Sequence, residues 1–600
     1  MKRLSSPISS LAARYDAIVI GSGYGGAVAA SRLSRMGKKV AVLERGEEIQ
    51  PGEFPDTPDK ALAQSQIQSP LGRVGPRTGL YDLRVNPDIN VLVGCGLGGT
   101  SLINANVSLR PDPRLFEDPA WPPGLVDGDL EAGFARAETM LKPRPYPGDA
   151  GGFPPLNKLA ALEKAAAALG TSASRPPLNV SFEQGYNPAG IWQPACNVCG
   201  DCCSGCNTGA KSTTAMNYLP DAVAFGAEIY CAIRALWVQP GDGGWAVAFE
   251  PQGLGREVFD AAQPMLLAPL VVIAAGTLGS TEILLRSREK GLSLSTRLGS
   301  RFTGNGDVLA FSYNDDAPVD GIGLGYRAAG YDWKTDSTRP VGPTISGVID
   351  LRGGRPVEEG MVIEEGAIPG GLAPFLPAMM AACAAKFGAD SDRGDRSSEK
   401  AREIESLIHG PYRGAVNHTQ TFLVMSHDGS DGTLSLEDGR LAVQWPGVGD
   451  KPVFATVADR LRTAAGATGG TYVPNPVWTA LLDHHLVTVH PLGGCPMAGD
   501  SGAGAVDSDC RVFSGQSGTS VHEGLLVCDG AVMPRSLGVN PLLTITAVAE
   551  RAMIRLAARE RLGIDMSPAG PQPAVAKVSP RVRARARVSA EFGFMIRIQG

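Results

Sequence analysis

The ordered pattern of the chain opens with YDAIVI at residues 15–20, a short, uninterrupted and largely β-branched apolar run. Such a run predicts a strand buried in a parallel sheet. AVAASRLSRMG then predicts a helix, and KKVAVLE, ending at Glu44, predicts a second strand. Far downstream the period changes. RGGRPVEEGMVIEEG and TFLVMSHDGSDGTLSLEDGRLAVQW read as alternating strands with Gly turns, and FLPAMMAACAAKFG, from Phe375, as an apolar helix over a pocket or in the core. No stretch of 18 or more apolar residues occurs, so no transmembrane span is expected.

Six hundred residues exceed what one hydrophobic core usually organises, so at least two domains are expected. Apolar residues at 43% and charged residues at 19% suit a soluble globular protein. A net charge of -6 gives no general reason to expect nucleic-acid binding. The N-terminus has a basic start but no apolar core before Tyr15, so a conventional signal peptide is not expected. Five of the eleven cysteines crowd between Cys196 and Cys206. That crowding favours metal or cluster ligation in a reducing, cytoplasmic setting over scattered disulfides.

Between the first strand and helix lies GSGYGG, which places Gly21, Gly23 and Gly26 in the GxGxxG spacing. Gly21 permits the tight turn, Gly23 lets the backbone approach a pyrophosphate, and Gly26 lets helix and strand pack closely. The phosphates would sit on free N–H groups at the helix N-terminus. Glu44, closing the second strand, can accept hydrogen bonds from both ribose hydroxyls of an adenosine. Dinucleotide binding follows, but this motif alone does not separate NAD from FAD.

Further blocks decide between them. VGCGLGGTSLINANV from Val93, HPLGGC from His490 and LLVCDGAVMPRSLGVNPLLTITAVAER from Leu525 resemble signatures of the glucose–methanol–choline (GMC) oxidoreductases. VVIAAGTLGSTEILLRSR, from Val271, is similar to a strand entering a helix beside the FAD in the cholesterol-oxidase branch of that family. The blocks stand in the family's order from residue 15 to about 555, with a thin match from about 310 to 484. The resemblance implies an α/β fold. A Rossmann-like FAD-binding domain would comprise 1–310 and 485–565, and a mixed or antiparallel α+β substrate domain 311–484. Residues 566–600 form a Pro- and Ala-rich linker and a basic tail, with an additional strand expected in EFGFMIRIQG.

The resemblance also implies FAD contacts at Tyr24, Gly25, Glu44, Thr100, Asn104, Asp529, Gly530 and Leu542, with Ala235 in the adenine pocket. It implies oxidation of an alcohol, hydrophobic or sterol-like, by hydride transfer to flavin N5. His490 would accept the hydroxyl proton and Asn540 would hydrogen-bond the substrate oxygen or the flavin edge. Sterol-oxidising relatives add a buried Glu, and MVIEEGAIP resembles that segment, with Glu365 the better aligned of its two acids. All seven histidines lie at or after His409, so the N-terminal-half histidine that carries a covalent flavin in some members is absent and FAD is expected to be noncovalent. A lyase that keeps FAD as a structural cofactor and a non-catalytic electron-transfer subunit are the alternative classes.

Cys196, Cys199, Cys202 and Cys206 have the spacing C-x2-C-x2-C-x3-C, the order seen in bacterial ferredoxins, with Cys203 as an extra thiol. Asn207 stands where those proteins have Pro. An iron–sulfur cluster, a zinc site and an unmetallated thiol set all remain open. A cluster would favour a dehydrogenase with an external electron acceptor over an oxidase.

Overall fold

The structure is a computed structural model, and residues 3–253, 263–390, 394–475 and 485–571 are described. The expected strand–loop–helix unit is present. Ala17–Ile20 is buried at every position and leads into helix Tyr24–Arg35. Val40–Leu43 lies parallel on one side, with Ala17 opposite Val40, and Leu270–Ile273 lies parallel on the other, with Ala17 opposite Leu270. The six-stranded sheet extends to Glu228–Tyr230 at one edge and through Val521–Val527 to Arg511–Phe513 at the other, where the last pairing alone is antiparallel. Strands buried on both faces require the continuous apolar runs seen here.

Two long-range ties close this unit. A Cβ on Gly21 (φ 95°) would lie 2.2 Å from the Ala274 carbonyl oxygen, so only glycine lets the first turn pass the neighbouring strand end. Helix Leu542–Glu560 packs on helix Tyr24–Arg35 and on helix Gly128–Leu141. Between the first two, the buried Arg32 guanidinium donates to Glu550 from Nε at 2.8 Å and Nη2 at 2.6 Å, and the Tyr218 hydroxyl donates to the same carboxylate at 2.8 Å. The C-terminal signature is thereby held against the N-terminal helix Tyr24–Arg35.

A second six-stranded sheet runs Thr471–Pro474, Val308–Tyr313, Gln420–Met425, Val362–Gly366, Val348–Asp350, Ala173–Ser174, and every pairing in it is antiparallel. Its composition differs from the expected division of the chain. Ala173–Ser174 comes from the expected cofactor half, as does helix Asn157–Ala168, which packs on Val362–Gly366. The apolar helix expected at 375–388 is Leu376–Phe387. A five-stranded sheet, not anticipated from the sequence, pairs Leu486–Thr488 in parallel with Ile89–Gly94. Among the described residues no helix is long and apolar enough to cross a membrane. The strand expected in EFGFMIRIQG lies outside the described residues.

Removing one partner of a fully buried ion pair leaves an uncompensated charge, at a cost of about 3–5 kcal/mol. Arg32→Met is therefore expected to lower unfolding free energy by roughly that amount in urea denaturation. A loss below about 1 kcal/mol would show that the pair does not hold the two helices together.

Candidate active site

The three sheets meet around one large cavity of about 910 Å³. At one end lies the glycine loop. A Cβ on Gly25 would fall 1.5 Å from the Cys528 carbonyl oxygen and one on Gly26 2.2 Å from the Gly21 carbonyl oxygen, whereas at Gly23 nothing lies within 4 Å. Gly26 is thus a packing glycine, while Gly25 is both tightly packed and part of the cavity lining. Gly23, the N-cap residue of helix Tyr24–Arg35, faces the open cavity. The helix N-terminus it caps offers free N–H groups to an anion.

Glu44 also lines the cavity and is buried. Its carboxylate accepts from the Ser22 hydroxyl (2.6 Å), the Ser22 N–H (3.2 Å) and the Gly46 N–H (2.8 Å). Burial raises its affinity for a proton, against which these donors work. Thr100, Asn104, Ala235, Asp529, Gly530 and Leu542 line the same space. Asn104 Nδ2 donates to the Tyr24 hydroxyl at 2.9 Å, and its Oδ1 is buried without a partner. Asp529 caps the turn at Gly530 by accepting from Ala531 N–H (2.8 Å). Its other oxygen accepts from Gly276 N–H (2.8 Å) and the Ser280 hydroxyl (2.5 Å). Burial pushes its carboxyl up to about 6.

His490 and Asn540, 50 residues apart in sequence, both reach the cavity wall. The parallel register, Leu486 opposite Ile89 and Thr488 opposite Val91, sets the His490 segment beside the strand that feeds the loop from Val93. Asp307 orients the imidazole: its Oδ1 lies 2.9 Å from His490 Nδ1. Its Oδ2 accepts from the Thr488 hydroxyl (2.9 Å) and the N–H groups of Val489 (2.9 Å) and His490 (3.1 Å). Nδ1–H to carboxylate leaves Nε2 as the free nitrogen. Burial pushes the imidazole down, but Asp307 outweighs it, and His490 stands above the ordinary histidine value. Sequence reasoning missed Asp307. Its signal was an acid at the end of TGNGD, just before an apolar run.

Asn540 Nδ2 donates to Glu364 Oε2 at 3.2 Å, while Asn540 Oδ1 and Glu364 Oε1 are buried without partners. Burial pushes Glu364 up to about 8. The structure therefore sets Glu364, not Glu365, beside the histidine–asparagine pair. Glu365 points to the opposite face of the strand, as alternation requires. There it accepts from Lys158 Nζ at 2.6 and 2.7 Å, Ser346 N–H at 2.7 Å, the Ser346 hydroxyl at 2.5 Å and Gly347 N–H at 3.0 Å. With its oxygens so engaged and 0% exposed, it is a structural anchor for helix Asn157–Ala168.

Leu309, Phe311, Ile368, Phe375, Met379 and Leu423 give the cavity an apolar lining, alongside charged residues such as Arg45, Asp82, Arg84 and Glu282. Cys196, Cys199, Cys202 and Cys206 do not line this cavity. Among the described residues no group of His, Cys, Asp and Glu is placed to hold a metal ion.

Sequence models described as GMC oxidoreductase match residues 15–302 and 451–549. The chain belongs to the GMC oxidoreductase family. It is 29% identical over 577 residues to a cholesterol oxidase of Mycobacterium tuberculosis, covering 90% of each chain. It is 26% identical over 589 residues to a cholesterol oxidase of Acinetobacter baumannii, covering 91% of this chain and 95% of the relative. A long-chain-alcohol oxidase of Arabidopsis thaliana is 23% identical over 556 residues, covering 89% of this chain and 66% of the relative. The fold is shared with Aspergillus oryzae formate oxidase (TM-score 0.59, 13% identity, 92% of this chain and 99% of the other). It is also shared with a fungal aryl-alcohol oxidase (TM-score 0.55, 16% identity, 92% and 100%).

GMC oxidoreductases bind FAD, and the cavity of this member fits that group. The open Gly23 backbone and helix N-terminus suit a pyrophosphate, Glu44 suits a ribose, and Asn104 presents a buried, unpartnered oxygen.

The Asp307–His490 pair makes a signed expectation. Because His490 is raised in the folded state, the pair's pH-dependent stabilisation is fully present below the unfolded value, about 6.5. It is lost as pH rises through the folded value. Asp307→Asn should move the His490 titration downward in NMR of labelled histidine and flatten this part of the stability–pH profile. An unmoved titration would refute the assigned partnership.

Proposed function

We propose that this GMC oxidoreductase oxidises the CH–OH group of a hydrophobic alcohol, sterol-like or long-chain, to the carbonyl. His490 accepts the hydroxyl proton and Asn540 holds the substrate oxygen. What supports this reading is that both residues line the same cavity as the glycine loop and a set of apolar side chains. FAD, bound noncovalently, would supply the hydride acceptor at N5, and an external acceptor then reoxidises it.

Each residue has one task. The free Nε2 of His490 takes the proton as hydride leaves, and Asp307 favours the resulting imidazolium. Asn540 Nδ2 gives one hydrogen to Glu364 and has a second to donate to the substrate oxygen. Glu364 is buried behind Asn540 and is a positioning residue. A carboxyl raised to about 8 stays protonated at neutral pH, which spares the site a second negative charge. The apolar wall selects the rest of the substrate by burial, at about 25 cal/mol per Å² of apolar surface. The cholesterol and long-chain-alcohol oxidases among the relatives act on substrates of this class, as their names state.

Acid denaturation should release the flavin into the supernatant as FAD; yellow colour remaining with the precipitated chain would contradict noncovalent binding. His490→Ala and Asn540→Ala should each slow anaerobic flavin reduction by an alcohol, with FAD retained. Loss of a positioned base is worth ~10²–10⁴-fold, and near-wild-type rates in both variants would remove the assigned roles. The two adjacent acids should separate. Glu364→Gln should abolish an inflection near pH 8 in the flavin-reduction profile, whereas Glu365→Gln should lower stability and leave the profile in place. The reverse pattern would restore Glu365 as the functional acid.

A further inference from the structure

The alcohol chemistry leaves one group of cavity residues unused. Five arginines, Arg45, Arg73, Arg84, Arg234 and Arg286, line the large cavity. They come from separate elements. Arg45 follows strand Val40–Leu43, and Arg73 and Arg84 stand on strands Gly72–Val74 and Tyr81–Arg84 of the five-stranded sheet. Arg234 lies on strand Ile233–Gly241 and Arg286 on helix Gly276–Glu289. The side chains of Arg45, Arg84, Arg234 and Arg286 are only 12–25% exposed, so water screens their charges in part.

Strand register brings two of them onto one acceptor. Gln68 lies opposite Arg73 on one neighbouring strand and opposite Arg84 on the other. Its Oε1 accepts from Arg73 Nη2 at 2.9 Å and from Arg84 Nη1 at 2.5 Å. Asp82 accepts from Arg84 through Nε (2.8 Å) and Nη2 (3.0 Å), and from Arg45 Nη2 (2.6 Å). Glu282 is shared in the same way by Arg234 Nη2 (2.7 Å) and Arg286 Nη2 (2.8 Å). Glu44, beside Arg45 in the chain, is held by the Ser22 hydroxyl and the Gly46 N–H instead. Five cations thus meet three acids, and among the described residues no ion pair joins Arg73 to any of them. Burial pushes the Arg73 guanidinium down to about 10, and repulsion from Arg84, Arg234 and Arg45 adds to the effect.

A half-buried surplus of positive charge is costly unless an anion completes it. FAD would not supply that anion. Its pyrophosphate suits the helix N-terminus at Gly23, and Glu44 and Ala235, the chain neighbours of Arg45 and Arg234, suit its ribose and its uncharged adenine. A guanidinium presents paired N–H groups that match the oxygens of a phosphate. We propose that these arginines bind a phosphate group, free or as a monoester, beside the adenosine end of FAD, with Arg73 as its principal contact. The site depends on that placement of FAD and not on which alcohol is oxidised.

The test is isothermal titration calorimetry of the FAD-loaded enzyme at low ionic strength, with FAD measured in the same sample. Inorganic phosphate is one titrant and glycerol 3-phosphate the other, and the tighter of the two identifies the source of the group. Saturable binding of one phosphate group per FAD is expected. Arg73→Gln should weaken it roughly tenfold or more, the loss of one charge-assisted contact, and retain FAD. Arg14→Gln, at an exposed pair with Asp242, should leave it unchanged. FAD-loaded enzyme that takes up neither titrant, or takes them up only after FAD is removed, would overturn the proposal, as would equal affinity in Arg73→Gln. A protein that never loads FAD would undo the cofactor placement and the site with it. Should Arg73→Gln fail to fold, the wild-type stoichiometry still decides.

Discussion

One carboxylate carries the arrangement at the reaction centre. Asp307 holds the imidazole of His490 through one oxygen and the backbone on both sides of Val489 through the other. It stands at the start of strand Val308–Tyr313 in the antiparallel sheet, whereas His490 follows a strand of the five-stranded sheet. The ion pair therefore joins two sheets as well as setting a tautomer. Its own loop is held by Asp428, which accepts from the Thr303 hydroxyl (2.5 Å) and the Gly304 and Gly306 N–H groups (2.9 Å each). A histidine in an apolar wall would otherwise be driven neutral by burial. With Asp307 it can take a proton and keep it.

The polar atoms left without partners mark where a ligand is needed. Asn104 Oδ1 and Asn540 Oδ1 are buried and unbonded in residues that line the same cavity. Unsatisfied buried acceptors are costly, so native proteins rarely leave them without a reason. In the proposed function, the bound cofactor reaches Asn104 and Asn540 meets the substrate. Asn540 donates to Glu364, and the chain just before it is held by Asn305, which accepts from Leu537 N–H (2.8 Å) and donates to the Val539 carbonyl (2.9 Å).

Local patterns were legible in the sequence, and pairings across long separations were not. The glycine loop, the strand ends and Glu44 lie within one short unit whose geometry follows from backbone sterics, and it folds as strand, loop and helix. His490 and Asn540 were legible only through resemblance, and the fold brings them to one wall. Glu364 and Glu365 were confused because neighbouring residues on a strand face opposite ways, so an offset of one exchanges a core anchor for a site residue. Asp307 was missed because its partner lies 183 residues away, so its local signal did not tie it to the histidine. The edge strand Ala173–Ser174 is likewise two residues long, too short to leave a period.

The central claim is that an alcohol in the apolar end of the cavity gives its hydride to bound flavin. Anaerobic titration of the wild-type protein with a panel of alcohols, each also made with deuterium at the carbinol carbon, tests it most directly. The account requires that a long-chain or sterol alcohol bleach the flavin and that deuterium slow the bleaching. An FAD-replete protein that no alcohol reduces, or bleaching indifferent to deuterium under single-turnover conditions, would contradict it.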